Sequence, residues 1–146
     1  MNIAGTQLAF NPYNKACYEI YISGCNQRCK NCQSPQLWDF NNGVEITDNF
    51  FKNIVAKQEF YDVISILGGD LLSQDEHEAF WFVLRLRTLF TIKKMWLFTG
   101  KDKEEVPSWC FEFFDYIKVG RYDENLKKEG FPASSNQRLL KKGLEY

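Results

Sequence analysis

Three cysteines stand within eight residues, Cys25-Asn26-Gln27-Arg28-Cys29-Lys30-Asn31-Cys32, in the spacing C-x3-C-x2-C. As thiolates, three sulfurs this close in the chain can converge on one metal centre. The stretch is polar and has no apolar period, which speaks against these cysteines packing into a core. A closed structural zinc site takes four ligands, usually in two pairs. The motif provides three, and the remaining donors Cys17, Cys110 and His77 stand at no ligand spacing. In a four-iron cluster three cysteines hold three irons and leave the fourth free for substrate. Cys25, Cys29 and Cys32 are therefore expected to ligate a [4Fe-4S] cluster, which would itself keep the thiols deprotonated. A zinc-stabilised interaction module is the alternative.

The elements that must carry this loop can be read around it. Cys17 to Ser23 is short, β-branched and aromatic and ends at Gly24, a strand pattern. Asp48 to Tyr61 places Phe50, Phe51, Ile54, Val55 and Ala56 roughly on one helical face, with Thr47 or Asp48 as cap. Val63 to Leu67 is a continuous apolar run closed by Gly68-Gly69, as in a strand buried on both faces. Ser73-Gln74-Asp75-Glu76 predicts a capping box opening a helix to about Leu89, with Phe80, Trp81 and Phe82 expected in the core. Lys94 to Phe98 and Asp115 to Val119 read as further strands, and Asp102 to Glu105 as an acidic helix start between them. From Arg121 the tail shows no period. Alternating strands and helices predict an α/β fold of stacked βαβ units with a mostly parallel sheet. Ligands gather at the carboxyl ends of such strands. Here those ends are Gly24-Cys25, Gly68-Gly69-Asp70, Thr99-Gly100 and Gly120-Arg121.

Composition narrows the class. The 146 residues suit one domain, 1–146, and 45% hydrophobic residues with thirteen Phe exclude a disordered chain. A net charge of -1 argues against a non-specific nucleic-acid binder. No apolar run approaches the roughly 20 residues of a membrane span. Met1 to Phe10 lacks the pattern of a signal peptide, so a cytoplasmic location is expected. In that compartment clustered cysteines indicate metal or redox chemistry rather than disulfides. Cys17 and Cys110 read as small buried hydrophobes and His77 as a surface residue. Trp109, Phe111, Phe113 and Phe114 form either core or a docking patch.

The C-x3-C-x2-C loop after a first strand resembles the signature of radical S-adenosylmethionine (SAM) enzymes. Further residues are similar to the activating proteins of anaerobic ribonucleotide reductase. These are Ser23-Gly24-Cys25, Trp38 six residues after Cys32, Asn42-Gly43, Gly68-Gly69-Asp70 with Leu72, Thr99-Gly100, Asp115 with Gly120, and Ser134-Ser135-Asn136-Gln137-Arg138. They run in the family's order over most of the chain. The resemblance departs at Gln27, where a His is usual, at Asn31, where Gly is common, at Leu71, which replaces a Pro, and at Asn11-Pro12-Tyr13, which stands where a G-P-G turn is usual.

The resemblance implies a small, incomplete (β/α) barrel and two cofactors, the [4Fe-4S] cluster and SAM. It implies reductive cleavage of SAM to a 5′-deoxyadenosyl radical that generates a glycyl radical on anaerobic ribonucleoside-triphosphate reductase. A low-potential donor such as flavodoxin or ferredoxin would supply the electron. Asn31, Gln33, Gly68, Gly69, Asp70 and Thr99 would surround SAM. The carbonyls of Gly68 and Gly69 would receive its ammonium, and Asp70 would add negative charge. Another glycyl-radical enzyme or a small molecule is the alternative substrate.

Overall fold

A computed structural model describes residues 1–146. One seven-stranded sheet runs through the chain in the order β3-β1-β2-β4-β5-β6-β7. Its centre is parallel: β2 (Ala16–Ile22), β4 (Val63–Gly68), β5 (Lys94–Phe98) and β6 (Tyr116–Val119). Antiparallel strands flank it, with β1 (Asn2–Phe10) on β2, β3 (Val44–Glu45) on β1, and β7 (Arg138–Lys141) on β6. The sheet is thus mixed, not mostly parallel as expected from the order of elements. The flanking strands escaped the sequence reading for physical reasons. Most of β1 is exposed or half-exposed and Gly5 interrupts it, so it carries no hydrophobic period. The strand β7 is four residues long inside a polar tail.

Each parallel pair is joined through a helix: α1 (Asp48–Ala56), α2 (Glu76–Leu89) or α3 (Ser108–Phe113). Crossovers of one hand, taken in one direction across the sheet, set their helices on one face. The core agrees. Tyr18, Ile20, Ile22, Ile64, Ile66, Met95, Leu97 and Ile117 from the strands meet Phe51 and Ile54 of α1, Phe82, Val83 and Leu86 of α2, and Cys110 of α3. The alternate strand residues point the other way. They are Cys17, Glu19 and Tyr21, then Val63, Ser65 and Leu67, Trp96 and Phe98, and finally Tyr116 and Lys118, matched across the strands by register. No helix covers that face.

Two local expectations are corrected. The cap of α2 is Asp75, whose carboxylate accepts from Glu78 N at 3.1 Å. Ser73 instead closes a short 3-10 turn, Leu71–Ser73, and its hydroxyl is spent on Asn26. The α2 face that packs is Ala79, Phe82, Val83 and Leu86, which leaves Trp81 on the solvent side at 62% exposure rather than in the core. Thr47 stands at the N-cap of α1 without a side-chain bond. Phe114 is fully buried and Phe111 and Phe113 pack against the core, so that aromatic group is mainly interior. No helix is long and apolar enough to cross a membrane.

Candidate metal and cofactor site

Because β2, β4, β5 and β6 run parallel as neighbours, their carboxyl ends share one rim. The turns there are bonded to one another. Gly69 N donates to Ile22 O at 2.8 Å, Asp70 N to Gly24 O at 2.9 Å, Thr99 N to Lys118 O at 2.9 Å and Gly120 N to Lys101 O at 2.8 Å. The four strand ends singled out in the sequence thus form one continuous edge, and the cysteine loop leaves the chain from its β2 end.

The loop is coiled by backbone conformation. Arg28 (φ 49°) and Asn31 (φ 57°) are left-handed, a region that Asn tolerates better than most residues. Asn31 therefore does the work of the glycine common in the resembling family. Cys32 N donates to Cys29 O at 3.2 Å, and Ser34 N lies 3.4 Å from Cys32 Sγ. The Arg28 guanidinium sits 5.3 Å over the Trp38 ring, which ties the loop to its own exit. Cys25 is buried, whereas Cys29 and Cys32 are half-exposed. Burial pushes the Cys25 thiol up, helped by the nearby charges of Asp70 and Cys29. No three metal-ligating side chains are gathered tightly around one point. A metal centre commonly completes its own site as it binds.

A cavity of about 440 Å³ opens beside the loop, within the size range of small-molecule sites. Cys29, Cys32, Gln33, Gly68, Gly69 and Thr99 line it, so the expected residues are largely brought together. Asn31 and Asp70 do not line it. Asp70 is 1% exposed and its carboxylate is occupied: Leu72 N donates at 3.0 Å, Gly100 N at 2.8 Å, and the Thr99 hydroxyl at 2.9 Å to each oxygen. Burial raises the Asp70 carboxyl, against the pull of those donors and of Lys118. Asp70 is thus a brace that ties β4 to β5, and the Thr99 hydroxyl is spent on it.

The glycines likewise serve the chain itself. A Cβ on Gly68 (φ 106°) would stand 2.5 Å from Ile22 N, and one on Gly69 would stand 2.3 Å from Gly24 O. The bare backbone here lets β4 close on the base of the cysteine loop.

Lys118 and Tyr21 belong to the site and were missed in the sequence. Both line the cavity. Lys118 Nζ donates to Thr99 O at 3.1 Å and Gly120 O at 3.3 Å. Burial pushes its ammonium down to about 8, opposed by Asp70 and Cys29. The signal was available in Tyr-Ile-Lys-Val, where Lys118 alternates with two buried apolar residues just before a strand-ending glycine. Gln74 was missed too; its Nε2 reaches Ser23 O, Gly24 O and Asp70 O at 3.0 to 3.1 Å, gathering the root of the loop.

Cys17 bonds Ser65 at 2.9 Å at the opposite end of β2, Cys110 is buried on the core side of α3, and His77 is exposed. Neither Cys17 nor Cys110 can complete a four-ligand zinc site with the loop. The three loop sulfurs, two of them on a cavity wall, fit a centre with one position left for a ligand. Ser23 Oγ, two residues before Cys25, is buried with no partner in the chain, an unspent donor beside the site.

The profile of the 4Fe-4S single cluster domain matches residues 16–140, and the chain belongs to this iron–sulfur family. Curated relatives narrow the likeness. The chain is 29% identical over 125 residues, 82% of its length and 80% of the relative's, to the anaerobic ribonucleoside-triphosphate reductase-activating protein of Enterobacteria phage T4. It is 27% identical over 105 residues, 68% of each chain, to the proteins of that name from Haemophilus influenzae and Vibrio cholerae. The chain is thus related to reductase-activating enzymes of the radical SAM type.

Proposed function

We propose that the chain, as one domain spanning 1–146, activates an anaerobic ribonucleoside-triphosphate reductase by radical SAM chemistry, leaving a glycyl radical on that partner. Cys25, Cys29 and Cys32 would hold a [4Fe-4S] cluster, and SAM would occupy the cavity beside it. Such a cluster, reduced by a low-potential donor such as flavodoxin or ferredoxin, would supply the electron for reductive cleavage of SAM. The observation that carries this reading is the three-cysteine loop on the carboxyl rim of parallel strands, with Cys29 and Cys32 on the wall of a cavity of about 440 Å³.

The chain's own residues bind, orient and exclude water. The Gly68 and Gly69 backbone, Gln33 and Thr99 form the wall that would hold SAM. Asp70 fixes the ends of β4 and β5 so that this wall is set before a ligand arrives. Lys118 is the one cationic side chain lining the cavity and suits a carboxylate or phosphate-like oxygen better than a second cation. The sheet face without helices is covered near Trp96 by Tyr13 and at Phe98 by Phe131, and the cavity at its carboxyl rim is the part left for a protein segment as substrate. Helices on one side of four parallel strands are compatible with a section of a (β/α) barrel.

Anaerobic mixing of the reduced, cluster-bearing protein with SAM and the reductase, followed by electron paramagnetic resonance, should give a glycyl signal. Silence from a protein whose iron and sulfide content is complete would overturn the reading.

A further inference from the structure

The loop between Cys25 and Cys29 makes no backbone ladder with the sheet. Its root is held by Gly24 N on Leu37 O at 2.9 Å and Cys25 N on Trp38 O at 3.3 Å. Its middle is held by side chains from the rim. On one flank the Ser73 hydroxyl accepts from Asn26 N at 3.3 Å and donates to Asn26 Oδ1 at 2.8 Å. On the other, the Arg121 guanidinium donates to the Gln27 carbonyl. The Gln27 side chain lies flat on Gly100, its Cγ 3.2 Å from where a Cβ on that glycine would stand.

An exposed arginine on a free loop would contribute little, because ordering its long side chain costs what the bond returns. Arg121 does not stand on a free loop. Its carbonyl accepts from Asn136 Nδ2 at 2.7 Å, and the Gly120 carbonyl before it accepts from Gln137 Nε2 at 3.1 Å. Ser134 is fully buried and ties these two together. Its hydroxyl donates to Asn136 Oδ1 at 2.7 Å and its N–H to Gln137 Oε1 at 3.1 Å. That hydroxyl also accepts from Asp123 N at 3.2 Å. The 134–137 segment is thus a knot whose product is a fixed backbone at Gly120-Arg121, from which the guanidinium reaches the cysteine loop.

We propose that Arg121, anchored by Asn136 and Gln137, is a positioning residue that clamps the Cys25–Cys29 half of the loop and so governs how firmly the chain retains its metal centre. The proposal rests on the reading of Cys25, Cys29 and Cys32 as cluster ligands. It gives the Ser134-Ser135-Asn136-Gln137 knot the task of anchoring Arg121, whose guanidinium grips the Gln27 carbonyl 94 residues earlier in the chain. Outer contacts of this kind typically change metal retention by about 10–100-fold when removed.

The test uses the whole chain, reconstituted without air with iron and sulfide. Iron release into an excess of a ferrous chelator is followed by absorbance for wild type, Arg121→Ala, Asn136→Ala, Arg121→Lys and Arg138→Ala. Arg138 is exposed, beside the knot but outside it. The expected result is release about 10-fold faster for Arg121→Ala. Asn136→Ala should be intermediate, Arg121→Lys close to wild type and Arg138→Ala unchanged. Thermal unfolding of the metal-free proteins should give the same midpoint throughout. Equal release rates, or a fall in the metal-free midpoint that parallels the release rate, would overturn the clamp. If wild type itself takes up no iron and sulfide, the cluster reading fails and the clamp with it. If wild type loads and Arg121→Ala retains iron equally well, the clamp alone fails.

Discussion

The two faces of the central sheet are built from the same strands and differ in nearly everything else. One face is closed by α1, α2 and α3, and its isoleucines at 20, 22, 64 and 66 are fully buried. The other alternates with it residue by residue yet carries Glu19, Tyr21, Ser65, Phe98 and Lys118. Gln7 Nε2 donates to Glu19 Oε1 at 2.7 Å, and the Tyr21 hydroxyl donates to the same oxygen at 2.9 Å, so this face holds a polar network where the first holds none. The first face supplies folding free energy through apolar area removed from water. The second buries a smaller apolar cluster of Cys17, Val63 and Trp96 and, nearer the cysteine rim, holds polar groups in place so that a ligand can be met by side chains already set.

The contrast can be broken in a definite order. Cys29→Ala should abolish cluster uptake and radical formation while leaving the metal-free unfolding midpoint nearly unchanged, because Cys29 is half-exposed and packs on nothing in the core. Iron analysis with calorimetry checks both halves. Ile64→Ala, on the helix face, should do the reverse, costing about 2–5 kcal/mol in urea unfolding while the protein that stays folded still binds iron.

Asp70→Asn joins the two behaviours. An amide cannot accept from Leu72, Gly100 and Thr99 as the carboxylate does, so a loss of about 1–3 kcal/mol is expected, together with faster iron release. Lys118→Met sharpens the comparison through pH. Burial lowers the Lys118 pKa from 10.5 to about 8, so between those values the unfolded chain binds a proton that the native chain does not. Stability of the metal-free protein should therefore climb as pH rises through that window, and the variant should lose the climb. Trp81→Ser is the smallest effect, within about 0.5 kcal/mol, since Trp81 stands on the solvent side of α2.

Much of the site was legible because its residues are close in sequence or mark strand ends. Cys25, Cys29 and Cys32 share a loop, and Gly68-Gly69 and Thr99-Gly100 punctuate apolar runs whose ends a parallel arrangement must align. Asp70 was expected to place negative charge beside SAM, and the structure instead shows it bracing the strand ends. Its acceptors are saturated by Leu72, Thr99 and Gly100, and saturation is a property of packing rather than of residue type. Lys118 and Tyr21 went unseen because a strand hides which of its faces lies open until its neighbours are known.

Order and spacing of residues alone determined the α/β alternation, the three-cysteine loop and the rim on which it sits, because these depend on local period, turn chemistry and a crossover rule. Only the tertiary structure decided that antiparallel strands close both flanks, that Asp70 braces while Lys118 faces the cavity, and that Arg121 reaches Gln27. Those outcomes depend on which groups meet across long separations in the chain, and hydrogen-bond saturation and burial are settled only when they meet.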